Sequence, residues 1–335
     1  MIPQRNISLI SNALLAAGGR RIPEAIIERD YVLAWFLTGL AGHPLRDILA
    51  FKGGTALRRC WFANYRFSED LDFTLTRPMA FEEILTGLHE IFAYVESACG
   101  LHIAFDREDR HGHHNSYTFY LRYQGPLPAV NDVKVDITID EILCFPLQNR
   151  PILRTYDAFD DLPKGPTVKA YAIEEVMVEK LLALSDRARN EPRDLYDLWY
   201  LFGATDVRIA DLRAELDVKL AARQRAAPGL EQAIAAKEDR LRRLWAKRLE
   251  HHVSRRHPAM RRFAKFCARF EPPNYPSPDH HNVASFFHGC LGRFSRRRVA
   301  DKSHVVKNEA HGWRASISTA RSRIFLRLRL ANSIT

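Results

Sequence analysis

The stretch 47–76, DILAFKGGTALRRCWFANYRFSEDLDFTLT, limits what this chain can fold into more than any other. An apolar run, Ile48–Phe51, leads into Lys52-Gly53-Gly54-Thr55, and a second apolar run carries Asp70-Leu71-Asp72. Side chains alternate along a strand, so a strand over 69–76 puts Asp70 and Asp72 on one face and Leu71, Phe73 and Leu75 on the other. Two carboxylates side by side repel unless a cation lies between them. Mg2+, which takes carboxylate and phosphate oxygens, suits that place. The Gly-Gly turn leads into a short helix over 54–62, where bare N–H groups and the helix N-terminus favour a phosphate. A lone Asp-x-Asp, a common pattern, would favour a merely solvated strand edge. The upstream glycines, Ser68 two residues before Asp70, and the motifs below weigh for chemistry.

The flanking sequence alternates helix and strand signals. Pro23-Glu24 opens a helix over 22–40, and a second amphipathic helix spans 80–98, ending at Gly100. Residues 101–107 and 116–123 read as paired strands around a polar tip, and its His111, His113 and His114 match no zinc spacing. Residues 132–140, DVKVDITID, alternate cleanly, with Asp136 on the polar face between Asp132 and Asp140. Proline-rich residues 151–167 read as a connection with strand content near Ile152–Arg154. Helices follow at 173–189, 193–203, 208–225 and 229–257. In the first of these Lys180 falls inside an apolar stripe, where a lysine either snorkels out or serves the site. The next begins Arg193-Asp194-Leu195-Tyr196-Asp197, with Arg193 placed to pair with Asp197 one turn on.

Gly-Gly followed by Asp-x-Asp resembles the nucleotidyltransferase superfamily of the DNA polymerase β type. The longer strings, Lys52-Gly53-Gly54-Thr55-Ala56-Leu57 and Arg66-Phe67-Ser68-Glu69-Asp70-Leu71-Asp72-Phe73, resemble the AbiEii/AbiGii toxin family. So do Glu175 to Leu184 and Arg193-Asp194-Leu195-Tyr196-Asp197-Leu198, and the resemblance spans about 45–203. It implies an α+β fold: a polymerase β-like core with a mixed sheet and flanking helices, then a helical C-terminal domain. The expected division is 1–165, 166–270 and a basic, poorly ordered tail over 271–335. It also implies site roles. Asp70, Asp72 and Asp136 would hold two Mg2+; Gly53, Gly54, Thr55 and Ser68 would cradle NTP phosphates; Lys180 and Asp194, with Asp197 third, would complete the site. Family membership would make the chain a toxin of a toxin–antitoxin or phage-defence pair, adding nucleotides to RNA, with the tRNA 3′ end as acceptor and a cognate antitoxin as partner. Transfer to a protein hydroxyl or small molecule, or a non-catalytic RNA-binding module, are the competing readings. A P-loop enzyme is disfavoured, because Lys52-Gly53-Gly54-Thr55 reverses the order of that motif.

Charge sharpens the partner expectation. Residues 241–335 carry 21 Lys+Arg against 5 Asp+Glu, whereas the whole chain has 50 and 40. The basic excess therefore lies wholly at the C-terminal end, where it reads as a polyanion-binding surface or as a solvated basic helix and tail. Five scattered cysteines without a C-x-x-C pair fit a reducing cytosol, and no apolar run reaches membrane-spanning length.

Overall fold

The computed structural model describes residues 1–17, 19–109, 115–223 and 236–253. The chain divides into two compact units, Met1–His288 and Gly289–Thr335, and the second lies wholly outside the described residues. So do the histidine-bearing loop tip and the expected tail.

A seven-stranded mixed sheet, in the order β3-β4-β5-β2-β1-β7-β6, positions everything else. Its strands are β1 (Leu49–Lys52), β2 (Leu71–Leu75), β3 (His102–Glu108), β4 (Ser116–Gln124), β5 (Val130–Thr138), β6 (Gln148–Pro151) and β7 (Thr167–Ala170). The centre is two parallel pairs meeting at an antiparallel junction. β1 is antiparallel to β2, while β2 runs parallel to β5 and β1 parallel to β7. Parallel neighbours need long crossovers, which is why β2 and β5 are separated in sequence by a helix and the β3–β4 pair. β7 lies beyond the expected division at residue 165 yet is hydrogen-bonded into this sheet.

One face of the sheet is covered by α1 (Gln4–Ala16), α2 (Glu24–Ala41) and α4 (Phe81–Cys99). Helix α2 is apolar nearly all round, as a helix enclosed on every side must be, with Tyr31 to Phe36 all buried. Helix α4 is amphipathic and ends at Gly100, whose φ of +74° makes the left-handed cap its position predicts. The other face meets α5 (Ile173–Ser185) and α6 (Pro192–Ala204), with α7 (Arg213–Ala222) and α8 (Glu238–Arg248) behind them. Ion pairs tie α7 to α5: Lys219 reaches Glu175 at 2.6 Å, and Arg223 reaches Glu179 at 2.9 Å.

Several elements differ from the sequence reading. The helix expected over 54–62 is a single turn, α3 (Gly53–Ala56), which runs straight into a π-helical turn at Leu57–Trp61. That widening turns Arg58 and Arg59 into the core, where both pair with Asp30 on α2. Buried arginines survive only when paired in this way. Strand β2 begins at Leu71, so Asp70 stands one residue ahead of it. The 173–189 helix stops at Ser185, and the start of the 208–225 helix is a 3-10 turn at Ile209–Leu212. Helix α1 and strand β7 had no expected counterpart. The short strand near 152–154 lies earlier, at Gln148–Pro151.

Candidate active site

The site forms on the sheet face beneath α5 and α6, at the C-terminal end of β1. In the strand register Lys52 is opposite Asp72, and Asp72 is opposite Asp136. Cross-strand partners share a face, so one row of the sheet carries a lysine and two carboxylates. Asp70 adjoins the row and is near enough to Asp72 to raise its proton affinity. Burial first, then Asp70, pushes the Asp72 carboxyl up to about 6. Asp72 has neither a hydrogen bond nor an ion pair among the described residues. Asp136 is engaged: Thr118 donates to its Oδ1 at 2.9 Å and Lys134 to its Oδ2 at 3.1 Å.

The Gly-Gly turn is required by this geometry. Gly53 has a φ of +78°, in the left-handed region that favours glycine. A Cβ there would also overlap Asp72 Oδ2. At Gly54 a Cβ would stand 2.6 Å from Arg66 Nη2 and 2.9 Å from Ser68 Oγ. The motif therefore brings Ser68 against Gly54 and Asp72 against Gly53. Thr55 is fully buried and donates its hydroxyl to the Asp70 carbonyl at 2.5 Å. It fixes the carboxylate loop.

The helical side of the site is a closed ion network. Lys180 on α5 contacts Asp194 Oδ1 at 2.7 Å and Asp197 Oδ2 at 2.8 Å, both on α6. Arg66 forms a two-pronged pair with Asp197, at 2.6 and 2.8 Å, and the Tyr65 hydroxyl also donates to Asp197. Arg189 closes on Asp194 at 2.6 Å. Burial alone would lower the Lys180 pKa, but Asp194 and Asp197 outweigh it and raise the net value. Burial likewise opposes ionisation of Asp197, and Arg66 with Lys180 holds its carboxyl well below the usual range. Lys180 thus neither snorkels nor stands free. The expected pairing of Arg193 with Asp197 does not form; Arg193 turns to Asp70 Oδ2 at 4.0 Å and to Glu191 at 3.7 Å. Asp197 is taken instead by Arg66, a partner 131 residues away that local spacing could not reveal.

The structure brings Gly53, Gly54, Thr55, Ser68, Asp70, Asp72 and Asp136 together on the sheet, with the charges of Lys180 and Arg189 close enough to be felt at Asp72. Lys52 is a site residue that the sequence reading treated only as part of a motif. Its position at the end of a strand, directly before the glycines, was the available signal.

A fold of this order, with two glycines abutting paired carboxylates, accords with the nucleotidyltransferase resemblance. The pattern of the family described as nucleotidyl transferase AbiEii toxin, type IV toxin–antitoxin system, matches residues 35–281. The chain belongs to this family. The match is wider than the 45–203 span of the motifs and reaches into the expected tail. This AbiEii-family chain is accordingly a nucleotidyltransferase, a toxin of a type that is paired with an antitoxin. Its fold is similar to that of MenT4, a nucleotidyltransferase toxin of Mycobacterium tuberculosis H37Rv. Identity is 20%, the TM-score is 0.50, and the match covers 78% of this chain and 97% of that one. A provisionally assigned nucleotidyltransferase from H. pylori aligns at 18% identity and a TM-score of 0.40, over 68% of this chain and 83% of that one. No curated protein matches the sequence.

Nucleotidyltransferases of this kind generally use a divalent metal, and the donor set can be tested against one. Among the described residues no group of three or more His, Cys, Asp or Glu side chains is arranged to hold an ion. Asp136 is already spoken for by Thr118 and Lys134. The unpartnered Asp72 carboxylate, with its raised proton affinity and Asp70 beside it, does fit a hard, oxygen-seeking cation. Also among the described residues, no helix of this AbiEii-family chain is long and apolar enough to cross a membrane.

Proposed function

We propose that this toxin moves a nucleoside monophosphate from an NTP to RNA in the cytoplasm, with the tRNA 3′ end as acceptor and Mg2+ as the metal. The observation that carries the site is Asp72: a carboxylate without a partner among the described residues, pressed against Gly53 and flanked by Asp70. Asp70 and Asp72 would hold Mg2+, which supplies positive charge to offset the triphosphate. Asp136 lies beside them on the acceptor side. The backbone N–H groups of Gly53 and Gly54 and the Ser68 hydroxyl bind phosphate oxygens, and Thr55 keeps Asp70 in place. Lys180, oriented by Asp194, lends positive potential to the triphosphate. The acceptor hydroxyl attacks the α-phosphorus in line and pyrophosphate departs, so the chain's task is positioning and charge balance. Support for a nucleic-acid acceptor comes from the basic C-terminal excess, including Arg243, Lys247 and Arg248 on α8. A role in phage defence follows from the same reading.

The test incubates purified protein with Mg2+, each labelled NTP in turn, and total tRNA. Label at the tRNA 3′ end is the expected result. Label on protein or on a small acceptor replaces the RNA assignment, and no incorporation anywhere with any NTP rejects transfer. Replacing Arg255, Arg256, Arg261 and Arg262, which lie outside the described residues, by Gln should flatten the salt dependence of RNA binding and leave NTP affinity nearly intact. Binding like wild type across the salt range makes that basic stretch a solvated face.

A further inference from the structure

The side chain of Lys52 takes an unusual route. It starts on β1 opposite Asp72, yet its ammonium donates to Thr138 Oγ1 on β5 at 2.6 Å. Strand β2 lies between β1 and β5. Thr138 is opposite Thr74, two residues on from the Asp72–Asp136 row. The lysine therefore crosses β2 diagonally, between Asp72 and Thr74. Tyr171 braces the crossing: its hydroxyl bonds Thr74 Oγ1 at 2.6 Å, and its ring centroid lies 5.8 Å from the Lys52 ammonium. An ammonium has three donors, and Thr138 accounts for the single hydrogen bond Lys52 makes among the described residues. Lys52 forms no ion pair there, although Asp72, Glu179, Glu141 and Asp136 all act on its charge. A partly buried cation held by one neutral hydroxyl, beside a carboxylate that has no partner among the described residues, is costly to both groups. Folding alone does not account for it. Met at position 52 would fill much of the same space without a charge to desolvate.

We infer that Lys52 is a charge-balancing residue for nucleotidyl transfer: tethered across β2 by Thr138, it is the fixed cation that offsets Asp72 and Asp136 and leaves Asp70 and Asp72 to one divalent ion. This rests on the nucleotidyltransferase reading of the site and deepens it. The ammonium stands on the Asp136 side, where a second ion would otherwise be needed. Asp136, bonded to Thr118 and Lys134, is poorly free to hold such an ion. Neutralisation at the acceptor end thus comes from the chain itself.

The test uses the full chain with Lys52→Met, Lys52→Arg and Thr138→Val, a Mn2+ binding titration without nucleotide, and steady-state transfer kinetics. Removing a cation from beside Asp70 and Asp72 should strengthen Mn2+ binding by several-fold in Lys52→Met. Turnover should fall by about 10²-fold or more, the scale of losing one preorganised charge contact, with the KM for NTP changed less than about threefold. Lys52→Arg should return Mn2+ affinity toward wild type. Thr138→Val, which keeps the volume, should lower kcat by a smaller factor with KM unmoved. A merely structural lysine predicts weaker or unchanged Mn2+ binding and turnover per folded molecule like wild type; either result overturns the inference. If wild type transfers no nucleotide to any acceptor, the reading of the site fails, and the Mn2+ titration still decides the charge role of Lys52.

Discussion

On the sheet, Asp72 has no partner among the described residues, and burial and Asp70 drive its proton affinity up. On α6, Asp197 accepts from Arg66, Lys180 and Tyr65, and its proton affinity is driven down. Both are carboxylates from short acidic motifs on the same side of the sheet, Asp197 fully buried and Asp72 partly so. The difference is one of saturation. A satisfied charge network is a brace: it joins the loop at Arg66, helix α5 at Lys180 and helix α6 at Asp197. An unsatisfied carboxylate in the same setting attracts positive charge, and its cost to the fold is offset when a cationic ligand arrives.

The largest expected effect strikes the unsatisfied side. Asp72→Asn should cut nucleotide transfer by about 10³-fold or more, leaving the circular dichroism spectrum unchanged. Transfer within tenfold of wild type would place the chemistry elsewhere.

The satisfied side should respond in stability. Asp197→Ala leaves Arg66 and Lys180 buried with one partner fewer, at a cost of about 3–5 kcal/mol, read by urea denaturation. Lys180→Met should cost less, about 1–2 kcal/mol, because Asp194 keeps Arg189 and Asp197 keeps Arg66. If Asp197→Ala melts like wild type, the network is not a brace and the contrast collapses.

Gly53→Ala probes the junction between the two. Its left-handed φ and the close approach of Asp72 predict a loss of about 1–3 kcal/mol, with activity per folded molecule also lowered because Asp72 must move. Equal activity and melting would show that the turn relaxes freely.

The smallest effect is a pH dependence of the metal-free protein. The folded chain holds a proton on Asp72 up to about pH 6, whereas the unfolded chain releases it near 4. The group therefore favours folding below about pH 4, and that contribution is lost as pH rises through 6. In EDTA, Asp72→Asn should melt higher than wild type at pH 7–8, by something on the order of 1 kcal/mol, and the gap should close toward pH 4. A gap that widens on acidification contradicts the assignment.

Much of the site is legible in the chain's local patterns. The glycines, Ser68, Asp70 and Asp72 were readable as a turn followed by a short acidic motif, local features that act within a few residues, whereas Asp136 was singled out from Asp132 and Asp140 only by the family resemblance. Alternation in DVKVDITID placed Asp136 on the polar face, and the sheet register then set it opposite Asp72. The π-helical turn was not legible, since the two arginines it turns inward pair with Asp30 on a helix that is distant in sequence. Nor was the fate of the α6 motif: i, i+4 spacing suggested Arg193 with Asp197, and tertiary packing supplied Arg66 instead.

By itself, then, the sequence determined which groups could bear charge and which face of each strand and helix they would share. Those properties come from backbone periodicity and the covalent identity of the side chains. Only the tertiary structure decided which charges meet. Lys52 crossing β2 to Thr138, Asp72 without a partner among the described residues and Asp197 fully paired are outcomes of strand order and helix docking. Pairing energy depends on distances and burial between segments far apart in the chain, and no local spacing encodes them.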